Sequence, residues 1–352
     1  MSLAQKSTLG AIALTTAITL VACGGETADN GASGSGESSA SDTTTAAASD
    51  FEPVTIDNCG TEFTIEQAPQ RATTLEQGAT DTLLMLGAAD QIAGHSHYKS
   101  HPPAGYEDET EQLTLISEDP ATSEQLRAAD TDFIYSPFEL SWDESGAGTR
   151  EEWAQLGVPT FNNNTECQEY GDNKGKTQFE LLERDFTELG QIFGRQDEAQ
   201  ALIKKQNEAL EDASDTQAPE GTTFMMLYSA YESDPYVAGG PSILTEMGGL
   251  FGMTNVFADV DEEWPTVSWE AVAEANPDVI ILGDLPLRGS PGDKWEEKVE
   301  ILETTPAVQN MDAVKNKKYI VIDGITASAS VRTHEGVVEI ADALRDGVLD
   351  DD

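Results

Sequence analysis

Basic residues are scarce in this sequence. Among its 352 residues are 19 Lys and Arg but 65 Asp and Glu, which gives a formal net charge of −46. Nucleic-acid binding needs a basic face that replaces the counterions of the phosphates, so this charge argues against it. The charge also argues against adsorption of the folded surface to anionic lipid. The composition instead predicts a strongly solvated acidic exterior.

Several signatures of catalysis are also missing. The sequence contains no P-loop, no G-x-S-x-G, no H-E-x-x-H and no dinucleotide-binding fingerprint. Carboxylates are abundant, but at this acidity pairs of them arise by chance and indicate nothing. We therefore predict that the protein is not an enzyme and carries no cofactor. A lipid-anchored enzyme or adhesin on the same scaffold is the alternative from another class.

Cysteine occurs only three times, and the first copy ends an export signal. Residues 1–23 contain one lysine, then an uncharged run of small and apolar residues, then the letters LVAC. The run is too short and too rich in threonine for a spanning helix. Its last four letters resemble a bacterial lipobox, so we predict a lipoprotein signal peptide and lipidation of Cys23. Plain secretion is the alternative.

The other two cysteines form an even pair in a protein predicted to be exported. Oxidising compartments favour a disulfide, so we predict a bridge between Cys59 and Cys167. Two free buried thiols, or a metal-binding pair, are the alternatives. The predicted location is the outer face of the cell membrane, with the lipid anchor as the only membrane contact.

From Val54 onward, short apolar runs alternate with amphipathic segments. Such alternation predicts parallel strands in an α/β layer, with loops at the carboxyl ends of the strands available for ligand. The alternation is interrupted by a long amphipathic segment and then resumes. We predict two Rossmann-like α/β lobes joined by a single long rigid helix, with a ligand cleft between the lobes. The predicted segments are the signal peptide 1–23, a flexible tether 24–52, an N-terminal lobe 53–175, the linking helix 176–195 and a C-terminal lobe 196–350.

Two stretches of the chain are nearly alike: TSEQLRAADTDFIY from Thr122 and SWEAVAEANPDVII from Ser268. Each begins with a hydroxyl residue that can cap a helix. Each has a glutamate two positions later, Glu124 or Glu270, in the first turn, where the helix dipole favours an anion. Helix capping accounts for an acid at this position, but not for the same acid in both lobes.

Three blocks of sequence, 68–98, 243–284 and 305–323, resemble the substrate-binding proteins of ABC importers for ferric siderophores, haem and vitamin B12. The resemblance covers nearly all of 53–347 and implies the two-lobed fold. It also implies a monomer whose partners are an ABC permease and its ATPase. In this family a glutamate on each lobe docks against arginines of the permease, and the matching positions here are Glu124 and Glu270.

The resemblance also implies that the ligand lies between the lobes. We expect a ferric siderophore or a similar bulky chelate; haem, cobalamin or a deazaflavin precursor are alternatives. Trp264 matches a tryptophan that contacts ligand in the B12-binding relative, and a flat aromatic suits a macrocycle or an aryl chelator. Phe138 is interpreted as packed core. The candidate ligand-binding residues are Glu76, Gln77, His97, Tyr98, Trp142, Tyr231, Trp264, Arg288, Arg332 and His334.

Three of the four histidines lie in the short stretch HSHYKSH, at His95, His97 and His101. Imidazole is a common metal ligand, so this crowding suggests direct capture of a metal or of haem. However, all three lie on one loop, and no fourth ligand is evident from the spacing. We therefore favour a polar lining of the cleft and predict no metal site.

Overall fold

The computed structural model describes residues 51–231 and 234–350, except for the side chain of Tyr231. The predicted signal peptide with Cys23, and nearly all of the predicted tether, lie outside the described residues. In the part of the chain that is described, none of the helices is both long enough and apolar enough to cross a membrane.

The described chain begins with a β-hairpin, which the sequence analysis did not predict. Strand β1 (Val54–Asn58) pairs antiparallel with β2 (Thr61–Ile65), so that only Cys59 and Gly60 form the loop. Both loop residues have a positive φ, 54° and 77°. Two consecutive positive φ angles define the tight turn whose twist matches that of the paired strands.

The first lobe is built on a five-stranded parallel sheet in the order β5-β4-β3-β6-β7. Its central strands are fully buried, as expected for a parallel sheet covered on both faces. The strands are β3 (Ala72–Thr74), β4 (Ile92–Ser96), β5 (Leu115–Ser117), β6 (Phe133–Ser136) and β7 (Thr160–Asn162), and the helices are α1 (Gln77–Met85), α2 (Glu107–Gln112), α3 (Ser123–Ala128) and α4 (Arg150–Gln155).

Two long helices follow in the chain, α5 (Gln178–Phe193) and α6 (Gln196–Ser214). The hydroxyl of Thr177 and the side chain of Glu180 form a capping box at the start of α5. The helix ends at Gly194, whose φ of 68° is the left-handed conformation typical of a helix stop. Helix α5 thus lies within the predicted linking segment 176–195; its role as a hinge-free connection stays a prediction.

The second lobe is also α/β, and the two lobes together confirm the predicted fold class. Its sheet has the order β10-β8-β11-β12, and β9 adds to β8 as an antiparallel edge. The strands are β8 (Thr223–Tyr231), β9 (Asp234–Val237), β10 (Thr254–Asn255), β11 (Val279–Asp284) and β12 (Tyr319–Asp323), and the helices are α7 (Ile243–Leu250), α8 (Trp269–Ala275), α9 (Trp295–Thr304), α10 (Asp312–Lys315) and α11 (Thr333–Arg345).

One hydrophobic cluster runs through both lobes. It includes Phe133 of the first sheet, Phe186 and Phe193 of α5, and Phe224 of the second sheet, all nearly inaccessible to solvent. The rings of Phe133 and Phe193 meet edge to face, with centroids 5.4 Å apart. Because packed interiors resist deformation, a core shared through α5 opposes independent motion of the lobes.

The hairpin brings Cys59 to Cys167, and the predicted disulfide between them is confirmed in the structure. The bridge closes a sequence separation of 108 residues.

Replacing both cysteines by serine should lower the free energy of unfolding by about 4–5 kcal/mol, because the unfolded chain regains its loop-closure entropy. Urea titration of the double variant measures this loss. Wild-type protein in excess reductant is the control and should unfold at the same urea concentration as the variant; an unchanged midpoint would contradict the prediction.

Candidate ligand cleft between the lobes

A cavity of about 430 Å³ lies between the two lobes. The first lobe supplies side chains that follow its parallel strands, where ligands bind in open α/β sheets. The second lobe supplies residues of β8 and β9 and of the segments that follow β10, β11 and β12. The lining comprises Glu76, His97, Lys99, Pro120, Phe138, Leu140 and Glu166 from the first lobe, and Tyr228, Tyr236, Glu262, Glu263, Trp264, Arg288 and Ser328 from the second.

One wall of this cleft is aromatic. The ring centroids of Tyr228 and Trp264 are 4.8 Å apart, and the rings of Tyr236 and Trp264 stack at 5.9 Å with an interplanar angle of 27°. The loop that carries Trp264 is fixed against β9, because Val237 donates its backbone N–H to the carbonyl of Pro265 at 3.0 Å. Such a wall can stack on a planar conjugated ligand.

Phe138 also lines the cleft and is only partly buried. Its interpretation as packed core is therefore wrong. The ammonium of Lys99 lies 5.6 Å from the centre of the Phe138 ring. The ring thus presents a second aromatic surface on the first-lobe side of the cleft.

A buried carboxylate organises the first-lobe side of the cleft. Glu76 makes two contacts of 2.7 Å, one to the Lys99 ammonium and one to Nδ1 of His97. Burial alone would raise the pKa of Glu76, but the Lys99 and His97 partners outweigh burial and the pKa is lowered. Burial likewise opposes the charge on Lys99, yet the Glu76 carboxylate raises the pKa of that ammonium. Both groups are therefore charged at neutral pH.

Arg288 supplies a second cation, from the other lobe. Its guanidinium pairs with the buried Asp293 at 3.5 Å and lies 5.7 Å from the ring centre of Tyr228. Asp293 is itself held by the backbone N–H of Ser290 at 2.8 Å. The arginine is thereby directed toward the cleft rather than into bulk solvent.

Two carboxyl groups from opposite lobes meet at another side of the cleft. Glu166 of the first lobe and Glu263 of the second both line the cavity, and each affects the ionisation of the other. Burial raises the pKa of Glu166, and burial together with the neighbouring Glu166 raises the pKa of Glu263 well above its ordinary value. Burial and mutual repulsion therefore both favour the protonated form of these carboxyl groups.

Below the cleft, Arg332 joins the lobes instead of lining the cavity. From the second lobe its guanidinium contacts Asp323 at 2.9 Å and Glu335 at 2.8 Å. From the first lobe it contacts Asp81 at 3.6 Å and donates to the carbonyl of His101 at 2.9 Å. Burial raises the pKa of Asp81 to about 7 against the opposing effects of Tyr98 and Arg332. Arg332 therefore serves as a buried cross-link.

Three more candidate residues lie away from the lining of this cavity. Gln77 is buried, and its side-chain oxygen accepts the backbone N–H groups of Lys99 at 2.9 Å and Ser100 at 2.8 Å. Trp142 packs against the core of the first lobe and bonds to Asn162 at 3.2 Å. His334 is buried, with Nδ1 2.7 Å from the carbonyl of Val331. These positions differ from the sequence expectation because each side chain bonds within the protein instead of facing this cavity.

The remaining candidates lie at or near the cleft, with one exception. Glu76, His97, Trp264 and Arg288 line the cavity. Tyr98 lines an adjoining cavity, and its hydroxyl donates to Asp81 at 2.6 Å. The side chain of Tyr231 lies outside the described residues.

The three clustered histidines occupy different environments. His95 is buried on β4 with its ring edge to face against Tyr98, at a centroid distance of 5.3 Å. His97 turns to Glu76, and His101 is exposed. Within residues 51–231 and 234–350, no three His, Cys, Asp or Glu side chains are grouped in a way that could hold a metal ion.

Glu124 and Glu270 are both exposed, in the first turns of α3 and α8. Thr122 and Ser268 cap these helices through their hydroxyls, as predicted. Neither glutamate belongs to the lining of the cleft. Both are therefore accessible to a partner, and their docking role stays a prediction.

Several lining residues escaped sequence reasoning, above all Lys99, Tyr228, Tyr236, Glu166 and Glu263. Tyr228 lies inside an apolar run that predicts only a buried strand. The other four lie on connecting segments or on an edge strand. In such segments, no regular repeat of apolar residues indicates which side chains face the ligand. A usable signal was the position of Lys99 two residues after His97, on a loop already assigned to the cleft.

The fold and this cleft define a two-lobed α/β binding protein. The family described as periplasmic binding protein matches residues 73–326, and the chain belongs to this family. Relatives include the vitamin B12-binding protein of Yersinia pestis (strain Pestoides F), which is 24% identical over 222 residues, covering 61% of this chain and 70% of the relative. These relatives are binding proteins rather than enzymes.

Solved structures show the same fold. A periplasmic binding protein from Veillonella parvula dsm 2008 superimposes with a TM-score of 0.69 at 21% identity, over 83% of this chain and 97% of that one. A structure described as an ABC-type Fe3+-hydroxamate transport system, from Saccharomonospora viridis DSM 43017, gives a TM-score of 0.67 at 24% identity, over 82% and 98%. At this identity the likeness concerns the fold alone.

The cross-link below the cleft can be tested with two arginine variants. Arg332→Met should lower the free energy of unfolding by about 3–5 kcal/mol, because the buried Asp81 and the partly buried carboxyl groups of the second lobe lose their shared cation. Arg345→Met is the matched control, since Arg345 pairs with Asp342 at 3.0 Å on the exposed face of α11. The control should lose less than about 1 kcal/mol. Urea unfolding measures both, and equal losses would show that Arg332 is not a cross-link.

Proposed function

We propose that this protein is an extracytoplasmic solute-binding lipoprotein of an ABC importer, which captures a ferric siderophore or a similar bulky chelate and delivers it to a permease. The observation that supports this best is the cleft between the lobes, where an aromatic wall faces charged groups held by buried partners. Planar or aryl-bearing chelates match such a lining. Lipidation of Cys23 would hold the protein at the membrane surface.

The contents of the cleft test this proposal directly. The full-length protein, purified in detergent from its own host grown in low iron, should retain one ferric chelate per chain in native mass spectrometry. Adding the same chelate to stripped protein should raise its melting temperature, since a ligand that binds only the folded state stabilises it. A retained porphyrin or corrinoid would instead favour the haem or cobalamin alternatives. A protein that never retains a ligand and turns over substrate would contradict the binding role.

Glu124 and Glu270, one on each lobe, are the residues proposed to contact the permease. Reversing both charges to lysine should leave the affinity for the chelate nearly unchanged, because neither residue lines the cleft. Uptake of the radioactive iron chelate by cells should fall by more than about 10-fold, because like charges facing each other across an interface cost several kcal/mol.

The matched control reverses Glu151 and Glu296, which are exposed first-turn acids of α4 and α9 on the same two lobes. Each helix start loses about 0.3–1 kcal/mol of dipole stabilisation in either double variant, so stability is comparable. Normal uptake by the Glu124 and Glu270 variant would show that these residues only favour helix formation.

A further inference from the structure

The cleft does not end at the aromatic wall. A second cavity, of about 680 Å³, adjoins it and shares His97, Pro120 and Arg288 as lining residues. We call the first cavity the aromatic chamber and the second the polar chamber. Each has the volume of an ordinary small-molecule pocket. A ligand that occupied only one chamber would leave the other filled with solvent.

The two chambers differ in chemistry. In the aromatic chamber, Tyr228, Tyr236 and Trp264 form a wall of rings in mutual contact. In the polar chamber, Glu118, Asp119, Ser290 and the hydroxyl oxygen of Tyr98 supply hydrogen-bonding groups beside the exposed side chains of Leu115 and Leu287. The first chamber therefore suits a planar conjugated group, and the second suits a hydrophilic chain that carries donors and acceptors.

The residues at the junction are held in place by the protein. His97 has a φ of 54°, an uncommon conformation for a non-glycine residue, and Glu76 fixes its ring at 2.7 Å. Such backbone strain persists where the surroundings impose it, often at ligand sites. Arg288 faces the junction from the other lobe, restrained by Asp293 and by the ring of Tyr228. An imidazole and a guanidinium thus border the passage between the chambers.

We infer that the cleft selects an aryl-capped chelate, whose aromatic group stacks in the aromatic chamber while a polar arm passes between His97 and Arg288 into the polar chamber. This inference rests on the proposed function and narrows its ligand class. A guanidinium donates to carboxylate or carbonyl oxygens of such an arm in a fixed geometry. Aliphatic hydroxamate chelates have no ring to stack and should bind more weakly.

Three ferric complexes separate these contributions. Ferric dihydroxybenzoate has the aromatic group with a carboxylate fixed directly on the ring and no arm that extends beyond it, ferric dihydroxybenzoylserine has both the ring and the arm, and ferrichrome has no aromatic ring. In calorimetric titrations of the full-length protein, the serine conjugate should bind about 10- to 100-fold more tightly than dihydroxybenzoate, the increment expected for hydrogen bonds to a charged group. Ferrichrome should bind most weakly.

Two variants locate the contributions in the structure. Arg288→Gln should reduce the affinity for the serine conjugate to nearly that for dihydroxybenzoate and change the latter little, whereas the exposed control Arg345→Gln should change neither. Trp264→Leu should weaken both aryl complexes by about 3- to 10-fold, from the loss of ring stacking. Leu287→Trp, which enlarges an exposed side chain of the polar chamber, should act on the serine conjugate alone. Melting curves establish that each variant is folded.

The outcomes distinguish this inference from the proposed function. If ferrichrome binds most tightly, or if Arg288→Gln weakens both aryl complexes equally, the division into two chambers is wrong, although iron-chelate capture stands. If the folded wild-type protein binds none of the three complexes, the proposed ligand class fails, and this inference fails with it.

Discussion

The cleft depends on a buried guanidinium, that of Arg332. A charge removed from water is stable only when its surroundings replace the lost hydration, and here the replacement comes from both lobes. Asp323 and Glu335 belong to the second lobe, and Asp81 and the carbonyl of His101 belong to the first. If the lobes separated, the guanidinium would lose the partners that the first lobe provides. The ionic contact therefore adds to the shared hydrophobic cluster in keeping the cleft in one geometry.

The loop that carries His97 and Lys99 is held by hydrogen bonds from Gln77 and Arg332. Gln77 accepts the backbone N–H groups of Lys99 and Ser100 and donates to the carbonyl of His101, the residue that Arg332 also holds. With the backbone of this loop anchored in this way, the side chains of His97 and Lys99 face the cleft. Gln77 thus acts on the ligand site as a positioning residue, without lining the cavity.

Much of the fold could be predicted from the sequence, because it follows from local patterns. Apolar runs and helical periods located both sheets, and hydroxyl caps placed the starts of α3 and α8 at Thr122 and Ser268. The N-terminal hairpin was missed, although Gly60 after Cys59 was a usable turn signal. The strand β9 was missed as well, because an edge strand that pairs on one side only needs no strong apolar pattern.

The site was harder to predict because it is a property of the lobe interface. Trp264 and Arg288 could be found, since a resemblance or a position after a strand marks them. Glu166 and Glu263 are far apart in the chain, and the local periodicity of apolar residues does not indicate that they interact. In a chain of net charge −46, nothing in the sequence distinguishes these two glutamates from the other acidic residues. Yet burial raises the pKa of both of these carboxyl groups, whereas the neighbouring Glu76 keeps the Lys99 ammonium charged. A ligand in the cleft therefore meets the ammonium of Lys99 on one lobe and the guanidinium of Arg288 on the other, each paired with a buried carboxylate, and two further carboxyl groups whose ionisation burial opposes.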